Sequence, residues 1–330
     1  MKAIQVVGSG KDAVLVLGDA PDPRPAPGEV LIDVAATAVN RADLLQRRGF
    51  YPPPPGASTI LGLECSGTIA ELGAGVTGWG AGDRVCALLP GGGYAERATA
   101  HAGSLLAAPS AMTLIEAGGL PEVFLTCSLN LFQLGGVERG DWALVHGGGS
   151  GVGTAAIQLL KQEGVRTIVT AGTAEKCRAC VDLGADLALN YKELGGRFAP
   201  AVLEATGGRG VEVVLDSIGG SYLAQHIEVL AIGGRLVVIG LMGGARAELD
   251  LGTALRKRIT IIGSTLRVRP VEEKATIVEY FRNRFGAAVE RGELRPIVHA
   301  VLPLAEAQRA HDLVEASGHF GKVLLSVAPV

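Results

Sequence analysis

The stretch His146-Gly147-Gly148-Gly149-Ser150-Gly151-Val152-Gly153 constrains this chain more than any other. It follows an apolar run at 143–145 and precedes a helical pattern that begins near Val152. A glycine-rich turn between strand and helix lets the backbone approach a pyrophosphate. It also aims free N–H groups and the positive end of the helix dipole at that group. In the dinucleotide register Gly148-x-Ser150-x-x-Gly153, serine replaces the middle glycine. The turn reads either as a phosphate cradle or as a turn that merely packs closely; its strand–turn–helix setting favours the cradle.

The surroundings fit that setting. From Trp142 onward, apolar runs at 143–146, 167–170, 186–190, 211–216, 235–239 and 258–263 alternate with helical stretches. Six such runs with helices between them predict a doubly wound parallel sheet. A helix is expected at 274–291, where Ile277, Val278, Phe281, Phe285 and Ala288 recur at three- and four-residue spacing. A further helix near 305–316 and a strand at 322–327 follow. Residues 1 to about 124 have another texture: short β-type runs, as at 30–34 and 65–71, separated by turns rich in Pro, Gly and Asp. That texture predicts an antiparallel, barrel-like region. The prolines at 52–55 cannot form a ladder strand and must be a stiff loop.

An NAD-selective unit of this kind carries Asp or Glu about 20 residues after the glycine turn, to grip the ribose 2′-hydroxyl. Here the second strand ends in Thr170-Ala171-Gly172-Thr173, with no acid, and Lys176 follows. A 2′-phosphate could be met by a hydroxyl, helix-start amides and an ammonium, so NADPH is favoured over NADH. Lys176 is otherwise an ordinary solvated lysine.

Composition excludes other classes. Lysine plus arginine is 30 and aspartate plus glutamate 33, a net charge of −3 with no basic stripe, so nucleic acid is not an expected partner. The longest uncharged run, 143–160, contains His146, Ser150 and five glycines and is unsuited to face lipid. Neither a membrane span nor a secretion signal is expected. The five cysteines are scattered, as in a reducing cytoplasm. Cys177 and Cys180 form a CxxC inside an expected helix with no second pair nearby, which argues against redox or metal chemistry.

Seven segments, "AVNRADLLQRRGFYPPPPG", "LGLECSGTI", "GDRVCALLPGGGYAE", "HGGGSGVGTAAIQL", "LGADLALNY", "VLDSIGG" and "GGRLVVIG", carry a broader resemblance across essentially the whole chain. The chain resembles the zinc-independent quinone oxidoreductase branch of the medium-chain dehydrogenase/reductases, close to the p53-inducible quinone oxidoreductase group. The resemblance implies an α/β protein of two domains. These are a GroES-like β-rich catalytic domain at 1–124 and 266–330, and a Rossmann domain with a doubly wound parallel sheet at 125–265 that binds NADPH. It implies Ser150, Gly151 and Val152 at the pyrophosphate, and Gly172, Thr173, Lys176 and Tyr191 around the 2′-phosphate. Tyr191 is equally readable as packing. Asp216, Ser217 and Gly240 fall at carboxyl ends of strands, where ligands bind in open α/β sheets, and Leu266 and Arg267 match a cofactor-lining segment. Asn40, Asp43, Tyr51 and Thr126 match substrate-lining positions; Asp43 either reacts or supports its loop.

The zinc dehydrogenases of this superfamily use a metal to polarise an alcohol oxygen. This chain has Asn40 where the first ligating cysteine would fall and Leu63 where a histidine would fall, and it lacks the four-cysteine lobe. No metal is expected. Chemistry then reduces to placing a hydride donor beside an acceptor that is already electrophilic, which a quinone is. Reduction of an activated alkene, such as an enal or enoyl thioester, is the alternative enzyme reading, and a cofactor-binding protein with little turnover is the third. The resemblance further implies a homodimer, for which the apolar stretch Thr260-Ile261-Ile262 is either the joining edge or an ordinary buried strand.

Overall fold

The computed structural model describes residues 1–327. The chain divides into two compact units, Met1–Leu125 with Leu266–Val330, and Thr126–Thr265.

The first unit opens with a hairpin of β1 (Lys2–Val7) and β2 (Val14–Asp19). It continues with β3 (Glu29–Ala38), β4 (Glu64–Leu72), β5 (Arg84–Leu88), β6 (Arg97–His101) and β7 (Leu105–Ala107). The second unit contributes β8 (Trp142–His146), β9 (Arg166–Ala171), β10 (Leu187–Asn190), β11 (Val211–Asp216), β12 (Leu230–Val238) and β13 (Thr260–Gly263). The chain then returns to the first unit with β14 (Val298–Pro303) and β15 (Lys322–Ser326).

In the first unit a seven-stranded sheet runs in the order β14-β15-β3-β4-β5-β7, with β6 paired to β3. Every pairing is antiparallel except β14 with β15. Val30 and Ile32 of β3 pack on Ile69, Val85, Ala98 and Leu105 in a core closed to water. Full burial of each such aliphatic side chain stabilises the fold by roughly 1.5–3 kcal/mol. A second cluster joins Leu44 and Tyr94 to Val323 and Leu325 of β15, so the end of the chain is packed into its beginning.

The second unit is a six-stranded parallel sheet in the order β10-β9-β8-β11-β12-β13. Its inner strands β8, β9 and β11 read as continuous apolar runs because both faces are covered. Leu144, Ile168, Val214 and Leu236 are buried together with Phe198 and Val202. Strand order reverses between β8 and β11, and ligands of such sheets bind outside the carboxyl ends at that point.

Two elements differ from expectation. β12 begins at Leu230 rather than near 235, because the helix Leu223–Val229 passes into the strand without a turn. The long helix is Val271–Glu290, starting earlier than 274: Pro270 precedes it and Glu272 and Glu273 occupy its first turn, where acids favour the positive helix end. The stretch Ser128–Leu134 is a π-helix that period-3.6 reasoning cannot detect. Among the described residues no helix is long and apolar enough to cross a membrane.

Candidate active site

The switch point of the second unit begins at the end of β8. Gly147 has φ 71°, a left-handed value that starts the turn. The Ser150 side chain then caps the helix Gly151–Glu163 by accepting the Gly153 N–H at 3.0 Å. Gly151 and Val152 supply the first helical amides, which geometry leaves without an intrahelical carbonyl. A Cβ on Gly153 would stand 2.3 Å from the Gly147 oxygen and 2.5 Å from the Gly148 Cα, so only glycine allows the helix to sit this close on the turn. At the end of β11, the Asp216 carboxylate accepts the amides of Ile218 (2.7 Å) and Gly219 (3.0 Å), which shapes the following loop. Ser217 in that loop meets Gly240 after β12: a Cβ there would lie 2.9 Å from the Ser217 oxygen. The turn after β8, Asp216 and Ser217 after β11 and Gly240 after β12 thus stand at the carboxyl ends of neighbouring strands around the switch point.

The end of β9 collects the other expected residues. Thr173 caps the helix Ala174–Leu183 by accepting the Lys176 N–H at 3.2 Å. The Tyr191 hydroxyl lies 3.1 Å from where a Gly172 Cβ would be, so Gly172 and Tyr191 share one spot. Lys176 is partly desolvated, which lowers its pKa, and the nearby Lys192 ammonium lowers it further. Lys192 was missed from the sequence; its only signal is its place directly after Tyr191. Glu175 also lies here, exposed, its carboxylate pKa lowered by hydrogen bonds to its own backbone and the Thr173 hydroxyl and by Arg178.

In the first unit Asn40 precedes the helix Arg41–Arg47 and enters a buried polar network. Asn40 Nδ2 donates to Glu64 Oε1 at 2.8 Å, and Lys322 Nζ donates to both Asn40 Oδ1 and Glu64 Oε1 at 2.7 Å. Glu64 Oε2 accepts the Glu122 N–H at 2.9 Å. Asp43 accepts the amides of Asn40 (2.8 Å) and Gly62 (3.1 Å) and the Tyr94 hydroxyl (3.3 Å), and that hydroxyl lies 3.0 Å from His311 Nε2. Burial pushes the Asp43 carboxyl up to about 6 against those amide bonds, and burial with the Glu64 charge pushes Glu122 up to about 8. Asp43 is placed as a brace of its loop. Glu122, which no motif singled out, is thereby biased toward its protonated form.

Arg267 lies over the Tyr51 ring at 5.2 Å and donates to Pro90 O, Tyr51 O and Gln46 Oε1. It therefore fixes the proline loop that carries Tyr51, while Leu266 beside it is buried. Thr126 belongs to the second unit, where its carbonyl accepts Asn130 Nδ2 at 2.7 Å. Around Asn40 the donor set does not suit zinc: Leu63 is buried hydrocarbon and the Asn40 carbonyl oxygen accepts from an ammonium.

Residues 26–113 match the alcohol dehydrogenase GroES-like domain and residues 151–281 match the zinc-binding dehydrogenase domain. Quinone oxidoreductase from Rattus norvegicus is 30% identical over 328 residues, covering 98% of this chain and 97% of that protein. A mycobacterial protein solved in complex with NADPH superposes with a TM-score of 0.87 at 33% identity, covering 99% of each chain. A mycocerosic acid synthase-like polyketide synthase of Mycobacterium tuberculosis is 30% identical over 306 residues, which cover 92% of this chain but 14% of that protein. With a GroES-like β-rich domain and a Rossmann parallel sheet, and with a quinone oxidoreductase matched from end to end, the chain belongs to the quinone oxidoreductase family of the medium-chain dehydrogenase/reductases.

Proposed function

We propose that the protein is an NADPH-dependent reductase of quinones that works without zinc. The observation that carries this reading is the Lys322 ammonium held between Asn40 and Glu64. A cation already fills the polar centre beside Asn40, so no Lewis acid is available there to activate an alcohol, and the acceptor must be electrophilic on its own. When bound, NADPH supplies a hydride to such an acceptor. The amides of Gly151 and Val152 hold the pyrophosphate, with Ser150 fixing their helix. Gly172, Thr173, Lys176, Tyr191 and Lys192 receive the 2′-phosphate, and Asp216, Ser217 and Gly240 shape the wall at the switch point. Asn40 and Tyr51 orient the acceptor, Asp43 and Arg267 brace them, and Glu122 is biased toward its protonated form. We assign residues 125–265 to the cofactor and 1–124 with 266–330 to the acceptor.

Two finer assignments accompany this reading. β13 is an edge strand with Ile261 partly exposed, which supports joining of two copies through that edge. The five free cysteines support a reducing cytoplasm.

The test is NADPH oxidation by the purified chain with 1,2- and 1,4-quinones, with and without a chelator, alongside an α,β-unsaturated aldehyde and an enoyl thioester. Quinone-dependent oxidation that a chelator leaves unchanged is expected. Oxidation no faster with quinone than without it, or abolished by the chelator, overturns the reading. Faster turnover of the enoyl thioester would favour the second reading, which the similarity to a segment of a polyketide synthase supports.

A further inference from the structure

Buried polar side chains in the second unit run in a line from the phosphate turn to the end of β11. His146 Nδ1 lies 3.0 Å from the Thr170 hydroxyl, and that hydroxyl also accepts the N–H of Gly147 at 3.4 Å. On the other side of the ring, His146 Nε2 lies 2.8 Å from His226 Nε2. His226 Nδ1 has no hydrogen bond and faces Asp216 Oδ2 at 3.7 Å. Exposure is 2% or less at all four residues, and the rings of Phe198 and Tyr222 pack on His146 at 4.9 and 5.1 Å.

Counting protons gives the line one direction. Burial lowers His146 well below its ordinary range and His226 to about 3, so each ring carries a single proton. Of the two ε nitrogens, one donates and the other accepts. Were His226 the donor, its bare Nδ1 would face a carboxylate oxygen, lone pair against lone pair. In the other arrangement His226 Nδ1–H faces Asp216 and His146 Nε2–H donates to His226. His146 Nδ1 then accepts from the Thr170 hydroxyl, whose oxygen keeps a lone pair for Gly147. The carboxylate at one end thus selects the tautomer of both rings. His146, Asp216 and His226 could also be read as a metal site, since their ligand atoms lie within 4.8 Å of one another. The ε nitrogens at 2.8 Å are closer than the roughly 3.3 Å that two nitrogens at about 2.0 Å from a tetrahedral zinc would need. The hydrogen bond fills that place.

The geometry points to His146 and His226 as positioning residues that lock the glycine turn and the Asp216–Gly219 loop, the two backbone segments flanking the switch point, into one arrangement for the cofactor. This rests on reading the switch point as the NADPH site. The line stiffens that site before the cofactor arrives, because the buried hydrogen bonds from Gly147 through Thr170 and His146 to His226, with the Asp216 carboxylate facing the last ring, are strong in low-dielectric surroundings and favour one arrangement. Removing its middle loosens Gly147 and the Asp216 loop without touching any residue proposed to orient the acceptor.

The experiment is NADPH titration by fluorescence on the full chain and on His226→Leu, His226→Gln and Thr170→Val, each checked for folding by circular dichroism. It is joined by imidazole 15N shifts of the unsubstituted protein and by KM for a quinone. About tenfold weaker NADPH binding is expected in His226→Leu and three- to tenfold in Thr170→Val, with the quinone KM unmoved. His226→Gln, which keeps an acceptor and a donor, restores binding to within threefold. The nitrogen shifts should place the protons on His146 Nε2 and His226 Nδ1. If His226→Leu does not fold, Thr170→Val and the nitrogen shifts decide. Folded His226→Leu and Thr170→Val that both bind NADPH within twofold of the unsubstituted protein, or a proton on His226 Nε2, overturn the inference alone. An unsubstituted protein that binds no NADPH overturns the cofactor reading and the inference with it.

Discussion

The Lys322 ammonium lies 2.7 Å from Glu64 Oε1, with both side chains withdrawn from water. Burying two charges is worthwhile only when their remaining polar atoms are satisfied, and here Asn40 and the Glu122 amide do this. Removing one partner leaves an uncompensated charge. Lys322→Met and Glu64→Gln are each expected to lower stability by about 3–5 kcal/mol in urea unfolding. The double variant should recover a large part of the loss, and equal, additive losses would show that the pair is not coupled.

Lys176 and Lys192 are expected to discriminate cofactors by the phosphate on the adenosine ribose. Lys176→Ala and Lys192→Ala should each raise the NADPH Kd about tenfold, roughly 1.4 kcal/mol, and leave NADH binding within twofold. Calorimetric titration of both nucleotides reads the split. A parallel loss for NADH would move the lysines to the pyrophosphate.

Gly153 and Gly286 make a contrasting pair. A Cβ on Gly153 collides with turn backbone at 2.3–2.5 Å, whereas one on Gly286, inside the helix Val271–Glu290, meets only the Arg282 side chain at an ordinary 3.7 Å. Gly153→Ala is expected to destabilise by about 1–3 kcal/mol and weaken NADPH at least tenfold. Gly286→Ala should stabilise by about 0.5–1 kcal/mol, because alanine restricts the unfolded chain. Thermal melts of the two variants should move in opposite directions.

His311 is buried beside Tyr94, and desolvation with the Arg47 charge lowers its pKa to about 3. The unfolded chain takes up a proton there below about 6.5 while the folded protein does not, so stability falls as pH drops from 6.5 toward 3. The slope is about 1.4 kcal/mol per pH unit for this one group. Asp43 and Glu122, raised to about 6 and 8, act oppositely, holding a proton in the fold that the unfolded chain releases above about 4. The comparison is therefore made between the parent and His311→Gln, which keeps a hydrogen-bond partner for Tyr94 but does not titrate. Relative to that variant, the parent should lose stability between pH 7 and 5 in urea unfolding. A constant difference across that range would show that His311 titrates normally.

The inner Rossmann strands were legible because parallel strands buried on both faces are unbroken apolar runs, and β11 matches its expected bounds of 211–216. The glycine turn was legible because its chemistry is local: one left-handed glycine, one capping serine and one glycine pressed on backbone. What escaped depends on partners far away in sequence. Lys322 reads as an ordinary lysine until β15 pairs with β3 and carries it to Glu64. His146 reads as a strand end because His226 is 80 positions further on. Glu122 carries no local pattern and Lys192 only its place after Tyr191; burial and the Glu64 charge single out the first, and the neighbouring Lys176 the second.

The placement of β15 beside β3 also sets an order of assembly during synthesis. The Asn40 and Lys322 side chains that meet in the first unit are 282 positions apart, so the ribosome makes every strand of the second unit before the cation that neutralises Glu64 emerges. Thr126–Thr265 is one unbroken segment and can fold while translation continues. The early strands wait for their last neighbour, and a nascent chain stalled before Lys322 presents an unfinished sheet to chaperones and proteases.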